Sequence, residues 1–227
     1  PFSEVLDNFF AVARIQEQAF QIVAPKSLGI SSFSEIVEKK MPINFGTTQA
    51  GSSGDTTMQL VLDAYGISYD WIKENGGSVT FTSQSDGSTL FQDGHLDVWA
   101  GLSSAPTPYI EEMAVSKDLV ILEIDQDVIN KLVSDYGYGT CEVPAGAYGM
   151  EKAVATVASS VVLIVNKTAP DDFVYNFTKG LFVPEFVEKL VAISNTFDKV
   201  SPEFSSKDLG CQLHPGAIKY YQEQHVL

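Results

Sequence analysis

FGTTQAGSSGDTTMQLVLDAY, residues 45–65, joins a strand to a helix through a loop of glycine, serine and threonine. The apolar residues Ile43 and Phe45 indicate the strand. The helix is indicated by four apolar residues at the spacing i, i+3, i+4 and i+7, which places one face of it in a core. These residues are Met58, Val61, Leu62 and Tyr65.

The loop itself predicts a binding feature. Ser52, Ser53 or Asp55 can cap the first helical turn, and glycines allow the backbone to turn tightly and to approach a ligand. A helix N-terminus with unpaired N–H groups is suited to hold an anion. Asp55 stands where a nucleotide-binding loop needs its lysine, so the pattern indicates a small anion or polar group and not phosphoryl transfer. A plain capped turn remains the alternative.

Composition and charge restrict the function classes. The chain has 227 residues, 44% hydrophobic and 11% aromatic, which is typical of a globular protein. Its net charge of −15 comes from 29 acidic residues against 14 basic ones, of which only Arg14 is an arginine. Such a charge makes nucleic acid and anionic lipid poor partners. Three scattered histidines and two cysteines indicate no metal site, and Cys141 and Cys211 are either a disulfide or two thiols.

No leader or membrane span is visible. The longest apolar run, residues 154–165, is too short to cross a bilayer, and no signal peptide precedes it. The chain begins at Pro1 and not at methionine, so we expect its N-terminus to be processed, cut or absent from this sequence.

Strand and helix patterns alternate along the chain and predict an α/β fold with largely parallel sheets. Long strands near 20–24 and 157–165 flank a compact block, and the material outside it has too few strands for a sheet of its own. We therefore expect the first part of the fold to be incomplete. The predicted strands are 43–45, 78–83, 96–100, 119–124 and 157–165, and the predicted helices are 31–40, 58–65, 87–93, 105–112, 126–136, 170–182, 184–196 and 217–224.

Four segments resemble the TAXI-type solute receptors of tripartite ATP-independent periplasmic (TRAP) transporters. They match in order and spacing across nearly the whole chain. The segments are FQDGHLDVWAGLSSAPTPYIEEMA (91–114), LVILEIDQDVINKLVSDYGYGTCEVPAGAY (119–148), DDFVYNFTKGLF (171–182) and LHPGAIKYYQEQHVL (213–227).

The resemblance implies a two-lobed, hinged periplasmic-binding-protein fold of type II, with mostly parallel sheets flanked by helices and the first lobe incomplete. It places residues 28–148 in lobe 2, and residues 1–27 with 149–227 in the remainder of lobe 1, including the hinge crossings. It implies an extracytoplasmic or periplasmic protein that binds a small organic acid or amino acid, similar to glutamate or 2-oxoglutarate. The implied partner is the membrane permease of a TRAP transporter, with no cofactor.

The resemblance also assigns ligand-binding residues. The glycine- and serine-rich loop of the family falls on Gly51–Thr56, its strand end falls on Gly101 and Ser103, and its proline–tyrosine segment brings Tyr148 to the cleft. The loop residues are Gly51, Ser52, Ser53, Gly54, Asp55 and Thr56. Helix capping and ligand contact remain open for the serines, and an ionised Asp55 would repel a bound carboxylate.

The sequence therefore predicts a binding protein and not an enzyme. One alternative is a phosphate or other oxyanion receptor, which also uses serine-rich helix starts. The other is an enzyme with Asp55, His95 or His214 as acid–base groups, although the sequence spreads these over separate elements. His214, before Pro215, is interpreted as a structural group at the start of a helix.

Overall fold

The computed structural model describes residues 7–227, and the chain is an α/β protein. Strands and helices alternate as the sequence predicts. The strands are β1 (Phe9–Pro25), β2 (Asn44–Thr48), β3 (Ser78–Thr82), β4 (Val98–Ser103), β5 (Leu119–Ile121), β6 (Gly139–Val143) and β7 (Val154–Asn166). The helices are α1 (Phe33–Glu38), α2 (Ser53–Ala64), α3 (Tyr69–Glu74), α4 (Gln84–Gln92), α5 (Pro108–Ser116), α6 (Gln126–Tyr136), α7 (Asp171–Leu181), α8 (Pro184–Ile193), α9 (Pro202–Ser205) and α10 (Pro215–Glu223).

The described chain divides into two compact units. The larger unit is Gln18–Ser159, and the smaller one combines the residues up to Glu17 with Ser160–Leu227. The divisions fall inside β1 and β7, so each of these strands contributes residues to both units. The boundaries expected from the sequence, 27/28 and 148/149, lie ten and eleven residues from these divisions.

The sheet follows the order β3-β2-β4-β1-β7-β6, and β5 also pairs with β1. β2 is parallel to both β3 and β4. The sequence predicts mostly parallel pairing, and this prediction is wrong for three other pairs of strands. β1 runs antiparallel to β4 and to β5, and β6 runs antiparallel to β7. Parallel pairing requires a crossover, which α2, α3 and α4 supply around β2, β3 and β4, whereas a loop over residues 144–153 without an α-helix joins β6 to β7.

The larger unit buries an apolar core on each face of its sheet. Phe45 on β2 packs with Met58 and Leu62 of α2 on one face, and Trp99 on β4 packs with Phe91 of α4 on the other. Phe45 and Gly46 are neighbours on β2 and therefore point to opposite faces of the sheet. A side chain at Gly46 would collide with Leu96 and Trp99, so the strand is flush against the second core at that point.

The smaller unit has its own core, in which α7 and α10 pack on β1. Arg14 is fixed inside this unit. Its guanidinium lies 3.9 Å from the ring centre of Phe204, donates to the Phe204 carbonyl at 3.2 Å and pairs with Asp208 at 3.1 Å. The chain's one arginine is therefore already engaged by its own unit.

Candidate functional site

A cavity of about 340 Å³ lies in the larger unit, at the carboxyl ends of β2, β3 and β4. Ligands of open α/β sheets bind at this edge, because the loops and helix starts that follow the strands converge there. Eight of the ten residues that line the cavity have polar side chains, and the other two are a glycine and a leucine. The ten residues are Gln18, Thr48, Gln49, Ser52, Ser53, Gly54, Thr82, Ser83, Gln84 and Leu102.

The start of α2 forms one wall of the cavity, as the sequence predicts for a capped helix. Ser52 is the N-cap: its Oγ accepts a hydrogen bond from the Asp55 N–H at 3.3 Å and is bonded to Thr48 Oγ1 at 2.7 Å. The first bond within the helix runs from the Thr56 N–H to the Ser52 carbonyl. The N–H groups of Ser53 and Gly54 therefore have no acceptor inside the helix.

Gly54 brings the start of α2 against the sheet. A Cβ at this position would collide with Thr48 Oγ1 and would lie 3.4 Å from the Leu102 N–H nitrogen of β4. Only glycine allows this helix turn to lie so close to the ends of β2 and β4. The glycine is therefore required by packing.

The start of α4 forms a second wall, which the sequence does not predict, because the helix pattern begins only at Gly87. Ser83 caps α4 by accepting from the Asp86 N–H at 3.1 Å. Gln84 donates to the Leu102 carbonyl at 3.3 Å and so ties α4 to β4. The available signal was a repeated pattern: Ser52 and Ser83 each lie in the loop after a strand, and each precedes an aspartate by three residues.

Asp55 supports the loop from behind and does not line the cavity. It is 1% exposed, and its carboxylate accepts hydrogen bonds from the Gly51 N–H at 2.8 Å, the Gln59 amide at 2.9 Å and the Tyr69 hydroxyl at 2.7 Å. Burial, reinforced by this carboxylate, raises the pKa of Tyr69. The repulsion that an ionised Asp55 would exert on a bound carboxylate is therefore reduced, because its oxygen atoms accept hydrogen bonds from three donors.

Ser103 and Tyr148 belong to a buried hydrogen-bond chain that is centred on Gln21 of β1. The Gln21 amide donates to Ser103 Oγ at 2.8 Å, and the Tyr148 hydroxyl donates to Gln21 Oε1 at 2.9 Å. The Tyr148 hydroxyl also accepts from the Thr107 N–H at 2.9 Å. Burial raises the pKa of Tyr148. The two side chains therefore hold the end of β4 and the start of α5 in place.

The structure thus divides the nine residues predicted from the sequence into three groups. Ser52, Ser53 and Gly54 line the cavity. Gly51, Asp55 and Thr56 share the same loop and first turn without lining it, and Gly101 lies directly behind the cavity wall. Ser103 and Tyr148 form the third group, because both are hydrogen-bonded to Gln21. Tyr148 also lines a different cavity of about 350 Å³, with Lys26 and Glu111 among its neighbours. The cavity residues that sequence reasoning missed are Gln18, Thr48, Gln49, Thr82, Ser83, Gln84 and Leu102.

No residue that lines the first cavity has an ionisable side chain. The electrostatic field inside this cavity is set by two helix N-termini, by hydroxyls and by the side-chain amides of three glutamines. A helix N-terminus is equivalent to roughly half a positive charge. The cavity therefore suits a polar or singly negative group.

Two further observations concern the described residues as a whole. In residues 7–227, no three side chains of the metal-binding types are grouped as they would be around an ion. The helices of this same range include none with the length and apolar character that crossing a membrane requires.

Several solved structures resemble this chain at low identity. The periplasmic aliphatic sulphonate binding protein SsuA from Escherichia coli is 15% identical, with a TM-score of 0.44 over 95% of this chain and 59% of that protein. The alkanesulfonate-binding protein SsuA from Xanthomonas axonopodis pv. citri, bound to MOPS, is 16% identical, with a TM-score of 0.42 over 96% and 66%. An ABC transporter from Clostridium perfringens is 12% identical, with a TM-score of 0.49 over 96% and 67%.

This chain therefore spans about three-fifths of the length of the Escherichia coli protein. The family comparison covers nearly the whole chain, since it matches residues 1–224 of the 227. On that match, the chain belongs to the NMT1-like family.

Proposed function

We propose that this chain is a solute-binding receptor and that the cavity between the starts of α2 and α4 is part of its ligand site. The observation that supports this most is the position of the cavity, at the carboxyl ends of three strands and between two capped helix starts. Two N-termini that face one cavity offer several free N–H donors to a ligand.

The ligand class follows from the lining. Hydroxyls, amides and backbone N–H groups can all donate to an oxygen atom, and the lining contains no carboxylate to repel one. We propose a small organic acid or amino acid, such as a glutamate- or 2-oxoglutarate-like compound. The alternative is phosphate or another inorganic oxyanion, which the same donors would accept.

The biological setting is a proposal of the same kind. We propose that the two compact units are the lobes of a hinged binding protein, that β1 and β7 are the crossing strands, and that ligand stabilises the closed form. The receptor would act outside the cytoplasm and deliver its solute to a membrane permease of the TRAP type. Its role would be binding and not catalysis.

Calorimetric titration and thermal shift with glutamate, 2-oxoglutarate and phosphate test the proposal. Binding of an organic acid that phosphate does not displace is the expected result, and tight binding of phosphate alone would favour the alternative. Ser83→Gly is the matched variant, because glycine keeps most of the capping preference but removes a hydroxyl from the cavity wall. We expect it to weaken binding with little loss of stability.

A further inference from the structure

The two helix starts at the cavity differ in where their hydroxyl protons go. At the start of α2, Thr48 Oγ1 and Ser52 Oγ are 2.7 Å apart and share one hydrogen bond, which uses the proton of one hydroxyl. The Asp55 carboxylate accepts its three hydrogen bonds from other residues and not from Ser52. One hydroxyl proton of the pair therefore remains for a ligand.

The hydroxyl at the start of α4 has no proton to offer. Ser83 Oγ donates to Asp86 Oδ2 at 2.8 Å and accepts from the Asp86 N–H at 3.1 Å. Because a serine hydroxyl carries one proton, Ser83 cannot also donate to a ligand. The Gln84 amide beside it already donates to the Leu102 carbonyl at 3.3 Å. The start of α4 is therefore poorer in side-chain donors than the start of α2.

Asp86 also brings a negative charge to this end of the cavity. Its carboxylate does not line the cavity, but it is one hydrogen bond away from Ser83, which does. A ligand atom about 3 Å from Ser83 Oγ lies at most about 6 Å from the carboxylate oxygen, since the two distances cannot sum to more. Two unit charges at that separation in water change an affinity by about threefold.

The carboxylate behind α2 is placed differently. The three hydrogen bonds that Asp55 accepts come from Gly51, Gln59 and Tyr69, none of which lines the cavity. Asp86, in contrast, is bonded to a lining hydroxyl. The α2 end of the cavity therefore suits an anionic group, and the α4 end suits a cationic one.

We infer that Asp86 is a specificity residue of the proposed ligand site, and that its charge selects a ligand with an ammonium group at the α4 end and a carboxylate at the α2 end. The inference rests on the proposed function of the cavity and narrows its ligand class. An amino acid meets both requirements. The 2-oxo acid of the same carbon skeleton has a carboxylate but no ammonium group, so it gains nothing from Asp86.

Matched pairs of acids test the inference by calorimetric titration, because the members of a pair differ only in the group at the second carbon. The pairs are alanine with pyruvate, glutamate with 2-oxoglutarate, and leucine with 4-methyl-2-oxopentanoate. In each pair that binds, we expect the amino acid to bind more tightly. Asp86→Asn keeps an oxygen for the Ser83 proton but removes the charge, and it should reduce this preference about threefold.

Asp127→Asn is the matched control, because Asp127 is an exposed aspartate in the first turn of α6 and does not line the cavity. It should keep the full preference of the wild type. Salt gives a second measurement: at about 0.5 M the difference between the wild type and Asp86→Asn should shrink, since Asp86 is exposed and its charge is screened.

The outcomes separate the inference from the proposed function. If the wild type binds the 2-oxo acids at least as tightly as the amino acids, or if Asp86→Asn keeps the full preference, the inference is overturned while the proposed function stands. If phosphate binds and none of the acids does, the oxyanion alternative holds and the inference is overturned. If the wild type binds neither acid nor phosphate, the proposed function fails and the inference fails with it.

Discussion

The Tyr69 hydroxyl donates a 2.7 Å hydrogen bond to Asp55 Oδ1 and thereby links α3 to the first turn of α2. The other carboxylate oxygen accepts from the Gly51 N–H and from Gln59. The glycine- and serine-rich loop is therefore fixed from behind by one buried carboxylate. The front of the loop, with Ser52 and Ser53, remains available to the cavity.

Asp55→Ala should destabilise the protein, because it leaves three donors without their acceptor. The expected loss is about 2–3 kcal/mol of unfolding free energy, measured by urea denaturation. Tyr69→Phe removes one donor and should cost about 1 kcal/mol. In the double variant the two losses should not add, because both remove the same bond. Simple additivity would show that the bond contributes nothing measurable.

Gly54→Ala should be destabilising for a different reason, since its Cβ collides with Thr48 beside β4. We expect a loss of about 1–3 kcal/mol, which is typical of overpacking, together with a weaker ligand site. Gly180→Ala in α7 is the matched control, because nothing lies within 4 Å of its Cβ position. That change should stabilise the protein by about 0.5–1 kcal/mol. Equal effects from the two variants would contradict the packing role of Gly54.

Tyr65 should titrate late in alkaline solution. Burial raises its pKa from the ordinary value of 10.0 to about 12, although the hydrogen bond from the Asp125 N–H opposes the rise. Because the folded pKa lies above the unfolded one, the stability that depends on the neutral hydroxyl is complete below pH 10 and is lost as the pH rises towards 12. Subtracting the phenolate absorbance titration of Tyr65→Phe from that of the wild type isolates this group. A difference curve centred near pH 10 would contradict the shift.

His214 should act as a helix cap. Its Nδ1 accepts from the Gly216 N–H at 3.1 Å at the start of α10, and its Nε2 lies 3.1 Å from the Ala169 carbonyl. His214→Ala should cost about 1–2 kcal/mol, and His214→Asn should recover part of this, since asparagine is a preferred cap. His214→Ala and His214→Asn should bind the ligand with nearly equal affinity. A loss of binding at unchanged stability would revive a functional role for this histidine.

Local patterns were sufficient to predict the fold class and the first wall of the cavity. The spacing of Met58 to Tyr65 predicts α2, and the loop before it offers Ser52, Ser53 or Asp55 as the cap, because both signals lie within a few residues of one another. The second wall was missed for a local reason as well. The sequence pattern predicts this helix only from Gly87 onward and so places Ser83 at the end of a strand and not at the cap of α4.

The remaining site features depend on contacts between distant residues, which a single sequence does not show. Asp55 meets Tyr69 14 positions away, and Tyr148 meets Gln21 127 positions away. The sequence predicts both as ligand-binding residues. In the structure Asp55 holds the loop from behind, whereas Tyr148 holds Gln21 and also lines the second cavity. The antiparallel course of β1 was missed in the same way, since the alternation of strands and helices carries no information about strands that lie outside the crossovers.

Ser53→Asp should separate ligands by charge, because this exposed residue occupies the first position of α2 and lines the cavity. An aspartate there favours the helix dipole and should stabilise the protein by about 0.3–1 kcal/mol. The same charge faces the cavity and should weaken an anionic ligand by at least about tenfold, an effect that should shrink as salt rises. Ser53→Asn, of nearly equal size and without charge, is the matched control. If Ser53→Asp strengthens binding relative to Ser53→Asn, the cavity takes a cationic group, and the organic-acid assignment is wrong.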